Sequence, residues 1–522
     1  MPSRAIANGR THATIFSLSD KVILRIMKAV VDGDDLNEAT IFMPVSRVNK
    51  KWHHIAQSNA SLWANIQLDL SHPYWDRGDI HMALKKYISL SFPHLLAITL
   101  RDSGMTLPMR QHSVVLDLIT ATSARWRSLC LMLRIEHFSL PSFAGISTLP
   151  ELRVLRVGKS LAKEKPVVVL LPRWLFRGTS KLQNITLSDN FLPLVHSYWY
   201  SVFPEATWEQ YNLTPHWRSI TDLTLSAMDF LVLYNELIAS EAFTVSFASL
   251  ERLCILSPLY CTPFKASSRP LIHFPSLKTL EFNSVDLDSR APREDVDSPL
   301  AIFNNLLGTI KAPKLESLKI RDRTQGSQIR VHDMHIISLI KNSNASLHHL
   351  EIGLGTEESM ACSSTTRYLH DKAGFLAHMQ GLKTIKFYVC SGIGLSELIE
   401  RDIILNFLFA IRTNLPSLEA ITIQCRCALS ADVFHYLLDL LEAQADSMRK
   451  ASLQWISPTP FTQSRLFKKT QSIIGPVDSE LLKSRLLDME KDGTKVHTEC
   501  YRVPHHDSGK YTVSTTIERR LV

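Results

Sequence analysis

Residues 314–320 read Lys-Leu-Glu-Ser-Leu-Lys-Ile (KLESLKI). Leu315, Leu318 and Ile320 are spaced by three and then two residues. The closing alternation is the period-two signature of a strand with one apolar face. Its polar partner, Lys319, belongs to the opposite face. One such stretch decides little, but this one recurs.

The same apolar-x-x-apolar-x-apolar pattern appears as Leu95/Ile98/Leu100, Trp126/Leu129/Leu131, Leu152/Leu155/Val157, Leu182/Ile185/Leu187, Ile220/Leu223/Leu225 and Leu250/Leu253/Ile255. It continues as Leu277/Leu280/Phe282, Leu347/Leu350/Ile352, Leu382/Ile385/Phe387, Leu418/Ile421/Ile423 and, most weakly, Met448/Ala451/Leu453. The first and last anchors lie 353 residues apart over 11 intervals, about 32 residues per repeat, with spacings of 26 to 38. A fixed period of this size marks a solenoid. An unrelated α/β domain with many parallel strands produces a similar alternation and stays open as the alternative. Helical periodicity fills several gaps, at 299–310, 332–342, 396–413 and 430–444. In the last of these, Val433, Leu437, Leu440 and Leu441 share one helix face.

The L-x-x-L-x-L core resembles leucine-rich repeats. That likeness implies a curved array, with parallel strands lining a concave side and helices on the convex side. The period here is longer than in ordinary leucine-rich repeats, and the asparagine usual after the strand is missing from most of them. The concave positions then follow from the pattern: Thr99, Cys130, Arg156, Thr186, Thr224, Cys254, Glu281, Lys319, Glu351, Lys386, Thr422 and Ser452, flanked by Arg252, Arg321 and Tyr388. Arg156, Arg252, Glu281, Lys319, Arg321, Glu351, Lys386 and Tyr388 are the candidate substrate contacts. Their alternating signs suit a mixed polar protein segment rather than a strongly charged ligand. For most side chains in the column, a plain solvated sheet face is the right account.

Ahead of the repeats lies a different region. Leu18, Val22, Ile23, Ile26 and Val30 fall on one helical face, with Ser17 or Ser19 as cap. The run from Asp32 to Asp35 breaks that helix, and Leu36, Ala39 and Met43 suggest a short second one. Pro44 suits the first turn of a third, whose apolar positions are Val45, Val48, Trp52, Ile55 and Ala56. Three ordinary core-packing helices satisfy this periodicity. The combination Phe16-Ser17-Leu18, Val22-Ile23, Ile26, Val45-x-x-Val48-x-x-x-Trp52 and Leu62-Trp63 with Ile66 also resembles an F-box, in the form common in large fungal families. Ser19, Asn49 and Ala60 stand where the family has proline, cysteine and proline. The resemblance covers about a tenth of the chain. It implies docking on the Skp-family adaptor of a cullin-RING ubiquitin ligase through Leu18, Val22, Ile23, Ile26, Val45, Val48, Trp52, Leu62 and Trp63, with the remainder selecting a protein substrate.

The organisation expected is a loose N-terminus at 1–14, an F-box-like helical domain at 15–70, a leucine-rich-repeat-like solenoid at 71–456 and a C-terminal cap and tail at 457–522. Eight aromatic residues crowd the 27 positions from Phe191 to Trp217. They are either interface anchors or the means by which a long loop pins itself to its own domain. The acidic, proline-punctuated stretch at 284–299 reads as an exposed connection. Beyond about Lys491 the composition favours a loose tail or a terminal strand pair.

The composition narrows the function classes. A net charge of +8 from 58 basic and 50 acidic residues is thin and dispersed, so nucleic-acid binding is not indicated. The eight cysteines form no disulfide framework. No secretory signal and no apolar run of about 20 residues is visible, which points to a soluble, cytoplasmic or nuclear protein off the membrane. Cys425-Arg-Cys427 lacks the second element a zinc site needs, and the pairs His53-His54, His348-His349 and His505-His506 point their members apart. No phosphate-binding loop, dinucleotide motif or nucleophile elbow occurs. The expectation is a non-enzymatic recognition subunit without cofactor or metal; a repeat scaffold with no ligase role is the second possibility.

Overall fold

The computed structural model of the chain describes residues 18–32, 48–71, 78–102, 109–133, 137, 140–159, 178–187, 218–226, 230, 247–257, 271–284, 307–321, 333–355, 374–390, 397–425, 431–444, 447–457, 485, 495–502 and 511–518. The architecture is mixed α/β with a large parallel sheet and no closed barrel. Two compact units divide the chain, residues 1–219 and 220–522.

The first unit opens with α1 (Asp20–Asp32) and α2 (Lys50–Ser58). Ser19 precedes α1, its carbonyl accepting the N–H groups of Val22 and Ile23. Asp20 in the first turn suits the positive end of the helix dipole. The third predicted helix begins later than Pro44 suggested: α2 starts at Lys50, because Asn49 caps it with an extended backbone and a side-chain oxygen 3.0 Å from Trp52 N. Asn49, a departure from the F-box pattern, thus starts the helix. Val45, the suggested helix at 36–43, the aromatic stretch 191–217, nearly all of the loop at 284–299 and the segment at 1–14 lie outside the described residues.

A 3₁₀ turn (Ala60–Trp63) leads into β1 (Asn65–Asp69). This strand pairs in parallel with β2 (Leu96–Arg101), setting Ile66 opposite Ile98 and Leu68 opposite Leu100. Trp63/Ile66/Leu68 is therefore one more copy of the repeat pattern, lying inside the segment that resembles an F-box. Then follow β3 (Trp126–Leu133), β4 (Val154–Lys159) and β5 (Asn184–Leu187), each parallel to the one before. Helices α3 (Gly78–Leu90) and α4 (Met109–Thr120), which the sequence reading did not single out, fill the gaps after β1 and β2.

In the second unit β6 (Asp222–Ser226), β7 (Arg252–Ser257), β9 (Thr279–Ser284), β11 (Ser317–Arg321), β12 (His349–Gly355), β13 (Thr384–Cys390), β14 (Ala420–Cys425) and β15 (Lys450–Ser457) run parallel in that order. A small pair, β8 (Ile272–His273) and β10 (Ile310–Lys311), lies apart from this sheet. Helices α5 (Asp333–Ser343), α6 (Glu397–Asn414) and α7 (Ala431–Ala443) match three of the predicted helical gaps within a residue or two. The described helical residues of the fourth gap are 307–309. The terminal strand pair exists: β16 (Lys495–Arg502) pairs antiparallel with β17 (Tyr511–Glu518), and β17 with β15.

Two devices hold successive repeats in register. Several anchors close a tight turn whose first residue is usually apolar too, as in Phe247 to Leu250, Phe274 to Leu277, Ala312 to Leu315, Met379 to Leu382 and Leu415 to Leu418. In those repeats the motif is one apolar position longer at its start. In addition, the carbonyl after most anchors of the second unit accepts two N–H groups from the next repeat. Glu251 O takes Lys278 and Thr279; Lys278 O takes Glu316 and Ser317; Glu316 O takes His348 and His349; His348 O takes Lys383 and Thr384. This backbone ladder ties neighbouring turns without the asparagines that most repeats lack. Helix ends add side-chain ties: Ser343 Oγ accepts Ala312 N at 2.9 Å, and Gln444 Nε2 donates to Leu415 O at 3.0 Å. Asn344, just past α5, takes the left-handed φ of 48° that ends helices.

The strand residues Leu253, Leu280, Leu318, Leu350, Ile385 and Ile421 are all essentially inaccessible, as are Ile336, Leu339, Leu408 and Leu437 of the helices. Truncating one such side chain leaves a cavity that flanking repeats cannot close. Leu318→Ala is expected to cost about 2–5 kcal/mol of unfolding free energy. Urea unfolding followed by circular dichroism measures it; a cost below about 1 kcal/mol would mean the column is not tightly packed.

Candidate functional site

The strand register places the polar middle positions in one row. In the first unit Thr99, Cys130, Arg156 and Thr186 are paired neighbours, with Gln67 added by β1. In the second unit the row runs Thr224, Cys254, Glu281, Lys319, Glu351, Lys386, Thr422 and Ser452. These residues alternate along each strand with the buried apolar columns, so they occupy the other face of the sheet. Of the candidate substrate contacts, Arg156 stands in the first unit and the other seven gather in the second.

Six of those seven, all but Lys319, form a connected ladder. Arg252 bridges Asp222 Oδ2 at 3.1 Å and Glu281 Oε2 at 3.0 Å. Arg321 spans the two glutamates, with Nη1 2.8 Å from Glu281 Oε1 and Nη2 2.7 Å from Glu351 Oε2. Asn283 donates to Glu281 Oε1 at 2.8 Å and the Tyr388 hydroxyl donates to Glu351 Oε1. Lys386 Nζ lies 3.5 Å from Glu351 Oε1 and 4.9 Å from the centre of the Tyr388 ring. The reach is possible because strand neighbours sit about 4.8 Å apart, within the span of one arginine fork. Asp222, Asn283 and His349 lie two residues from the middle row, as do Arg252, Arg321 and Tyr388, but the sequence reading includes only the latter three of these flanking positions.

The two signs sit at different depths. The side chains of Glu281 and Glu351 are each 3% exposed, whereas Arg321, Lys386 and Arg252 are 27%, 32% and 41% exposed. Buried carboxylates are tolerable only when saturated with donors, and both are. Burial pushes the Glu281 carboxyl up, but hydrogen bonds from Asn283 and Arg252, with the charges of Arg321 and Arg252, hold it below the ordinary carboxylate range. Next to it, burial and then Glu281 push the Cys254 thiol up to about 11, so it stays protonated near neutrality. The thiol serves as a soft acceptor for Asn283 Nδ2 at 3.3 Å.

The F-box-like residues divide into two groups. Ile23, Trp52, Leu62 and Trp63 are buried with Met27, Ile55 and Ala56. Trp63 donates its indole N–H to Ala56 O at 2.7 Å and meets Tyr87 edge-on at 4.8 Å. Leu18 and Ile26 are half-buried, and Val22 and Val48 are 41% and 45% exposed. Lys51 holds the ends of the two helices together through Leu18 O at 2.7 Å and Asp20 Oδ1 at 3.1 Å. Leu18, Val22 and Ile26 form a stripe beside the buried Ile23/Met27 stripe of α1.

Elsewhere in the first unit, His137 Nε2 lies 3.4 Å from Asp102 Oδ2, both side chains fully buried. No group of three metal-ligating side chains occurs among the described residues. No described helix is long and apolar enough to cross a membrane. No protein-family model matches the chain, and no curated protein is significantly similar to it.

The depressed Glu281 ionisation sets a sign for pH dependence. A carboxyl held below its unfolded value stabilises the fold above that value, about pH 4.3, and loses the contribution as pH falls through the folded one. Glu281→Gln should therefore be less stable than the natural chain at neutral pH and approach it below about pH 4. Urea midpoints of both chains across the acid range test this; parallel curves would refute it.

Proposed function

We propose that the chain is a substrate receptor of an SCF-type cullin-RING ubiquitin ligase. Its helical N-terminus engages a Skp-family adaptor, and the polar sheet face of a leucine-rich-repeat-like solenoid receives a protein substrate. The observation that carries this reading is the apolar surplus on α1 and on the entry to α2. Their own core is complete with Ile23, Met27, Trp52 and Ile55, yet Val22 and Val48 stay in water and Leu18 and Ile26 stay half-covered. A stripe of that kind gains about 25 cal/mol per Å² when a partner covers it. Among the adaptor-contact residues inferred from sequence, Val22, Val48, Leu18 and Ile26 are then the ones that reach the adaptor. Ile23, Trp52, Leu62 and Trp63 act indirectly, by holding the helices in place.

The mechanism is tethering. The receptor carries no transfer chemistry and raises the effective concentration of substrate beside a ubiquitin-charged enzyme supplied by other subunits. A second reading, a repeat scaffold without ligase role, draws on the complete burial of Leu62-Trp63 within the chain and on the pairing of β1 with β2. In that reading the motif persists because it anchors the first strand.

Co-expression pull-down with the host's Skp-family adaptor separates them. The natural chain is expected to capture the adaptor, and Val22→Glu with Val48→Glu to lower capture at least about tenfold while leaving the melting temperature within a degree or two. Trp52→Ala should instead lose about 3–5 kcal/mol of stability in the N-terminal unit. A folded natural chain that captures no adaptor, or a folded double variant that captures it fully, would overturn the receptor reading.

A further inference from the structure

The polar face of the second unit is not electrically even. Over β6 to β13 it carries Arg252, Lys319, Arg321 and Lys386 against Asp222, Glu281 and Glu351. Both glutamates lie at the bottom with their oxygens filled: Arg252, Arg321 and Asn283 hold Glu281, while Arg321, Tyr388 and Lys386 hold Glu351. Arg321 has taken the bridging place between them. Lys319, which stands between the same two glutamates in the strand register, is left with no ion pair or hydrogen bond among the described residues. Its counterpart two strands on, Lys386, has one ion-pair contact, at 3.5 Å, to an oxygen that Tyr388 already occupies, and lies over the Tyr388 ring. The surface presented to a ligand is therefore cationic, with the negative charge sunk beneath it.

We infer that Lys319 and Lys386, backed by Arg321, form a subsite for an acidic side chain of an extended protein segment laid across β11, β12 and β13. The inference rests on the reading of this sheet face as a substrate surface and adds the charge class of the residue bound there. The two lysines lie one strand either side of Glu351. Neighbouring strands are about 4.8 Å apart, so the lysine stems rise about 9–10 Å apart at the backbone, and flexible ammonium groups can converge on one carboxylate between them. Glu351, already saturated and buried, is a weak competitor for that carboxylate. His349, two residues earlier on the same strand face, reports the local potential. Burial holds its imidazole below the ordinary value, and Lys319, Arg321 and Lys386 hold it lower still, against an opposing pull from Glu351. An acid arriving between the lysines would relieve that depression.

The test uses the full chain and three labelled peptides, five repeats each of Glu-Ser, Gln-Ser and Lys-Ser, with binding followed by fluorescence anisotropy. The Glu-Ser peptide is expected to bind at least tenfold more tightly than the Gln-Ser peptide and to weaken as salt rises. The double variant Lys319→Ala/Lys386→Ala should remove at least nine-tenths of that preference while its circular dichroism spectrum stays that of the folded chain. Lys341→Ala, an exposed lysine at the end of α5, should alter it less than twofold. The His349 ring resonance should titrate at higher pH with Glu-Ser peptide bound. Equal binding of all three peptides, an unaffected double variant, or a His349 titration that does not move would each overturn the subsite. Adaptor capture is measured on the natural chain beside the peptide assay. Capture without an acidic preference removes the subsite alone, whereas an acidic preference without capture removes the ligase reading alone.

Discussion

The rest of the structure depends on register between consecutive parallel strands. A strand shifted by one residue would turn its apolar side chains to the wrong face. In the second unit the fold prevents this at the start of successive strands, where one carbonyl accepts two N–H groups from the following repeat, as Glu251, Lys278, Glu316 and His348 do in succession. The apolar anchor beside that carbonyl is buried, so hydrogen bonding and hydrophobic burial fix the same alignment. Gaps of different length between strands are tolerated because the tie sits at the strand entry, and connecting segments add only a slowly growing closure entropy.

Register also makes the polar face. Once Leu280, Leu318, Leu350 and Ile385 align on the buried side, Glu281, Lys319, Glu351 and Lys386 must align on the other. Alternating signs in adjacent strands can then neutralise each other across a strand spacing. The longer guanidinium of Arg321 reaches both glutamates and displaces Lys319 from the exchange. The face is built from charges that satisfy one another at depth while leaving lysines at the surface.

The N-terminal unit shows two uses of one motif. Leu62-Trp63 carries the F-box resemblance, and Trp63 also heads the first strand repeat with Ile66 and Leu68. Its indole closes onto Ala56 and Tyr87, joining α2 to α3 and the first strand. Positions that look like partner contacts in a motif are here split between those that build the unit and those, Val22 and Val48, that remain outside it.

Chain order alone marks twelve of the parallel strands, their buried columns and all of the polar row but Gln67, because alternation at period two and recurrence at about 32 residues are properties of the sequence; β1, β8 and β10 fall outside that pattern. It also located the helices 333–343, 397–414 and 431–443, whose apolar stripes are strong. It overlooked α3 and α4, which lie in short gaps between better-marked strands, and it treated Trp63 as the end of a helical motif rather than the start of a repeat. Only the tertiary structure decided which charges are neutralised and which are left over. That depends on side-chain reach across strands, on Arg321 outcompeting Lys319 for two carboxylates, and on burial depths of 3% against about ten times that, none of which a one-dimensional pattern encodes.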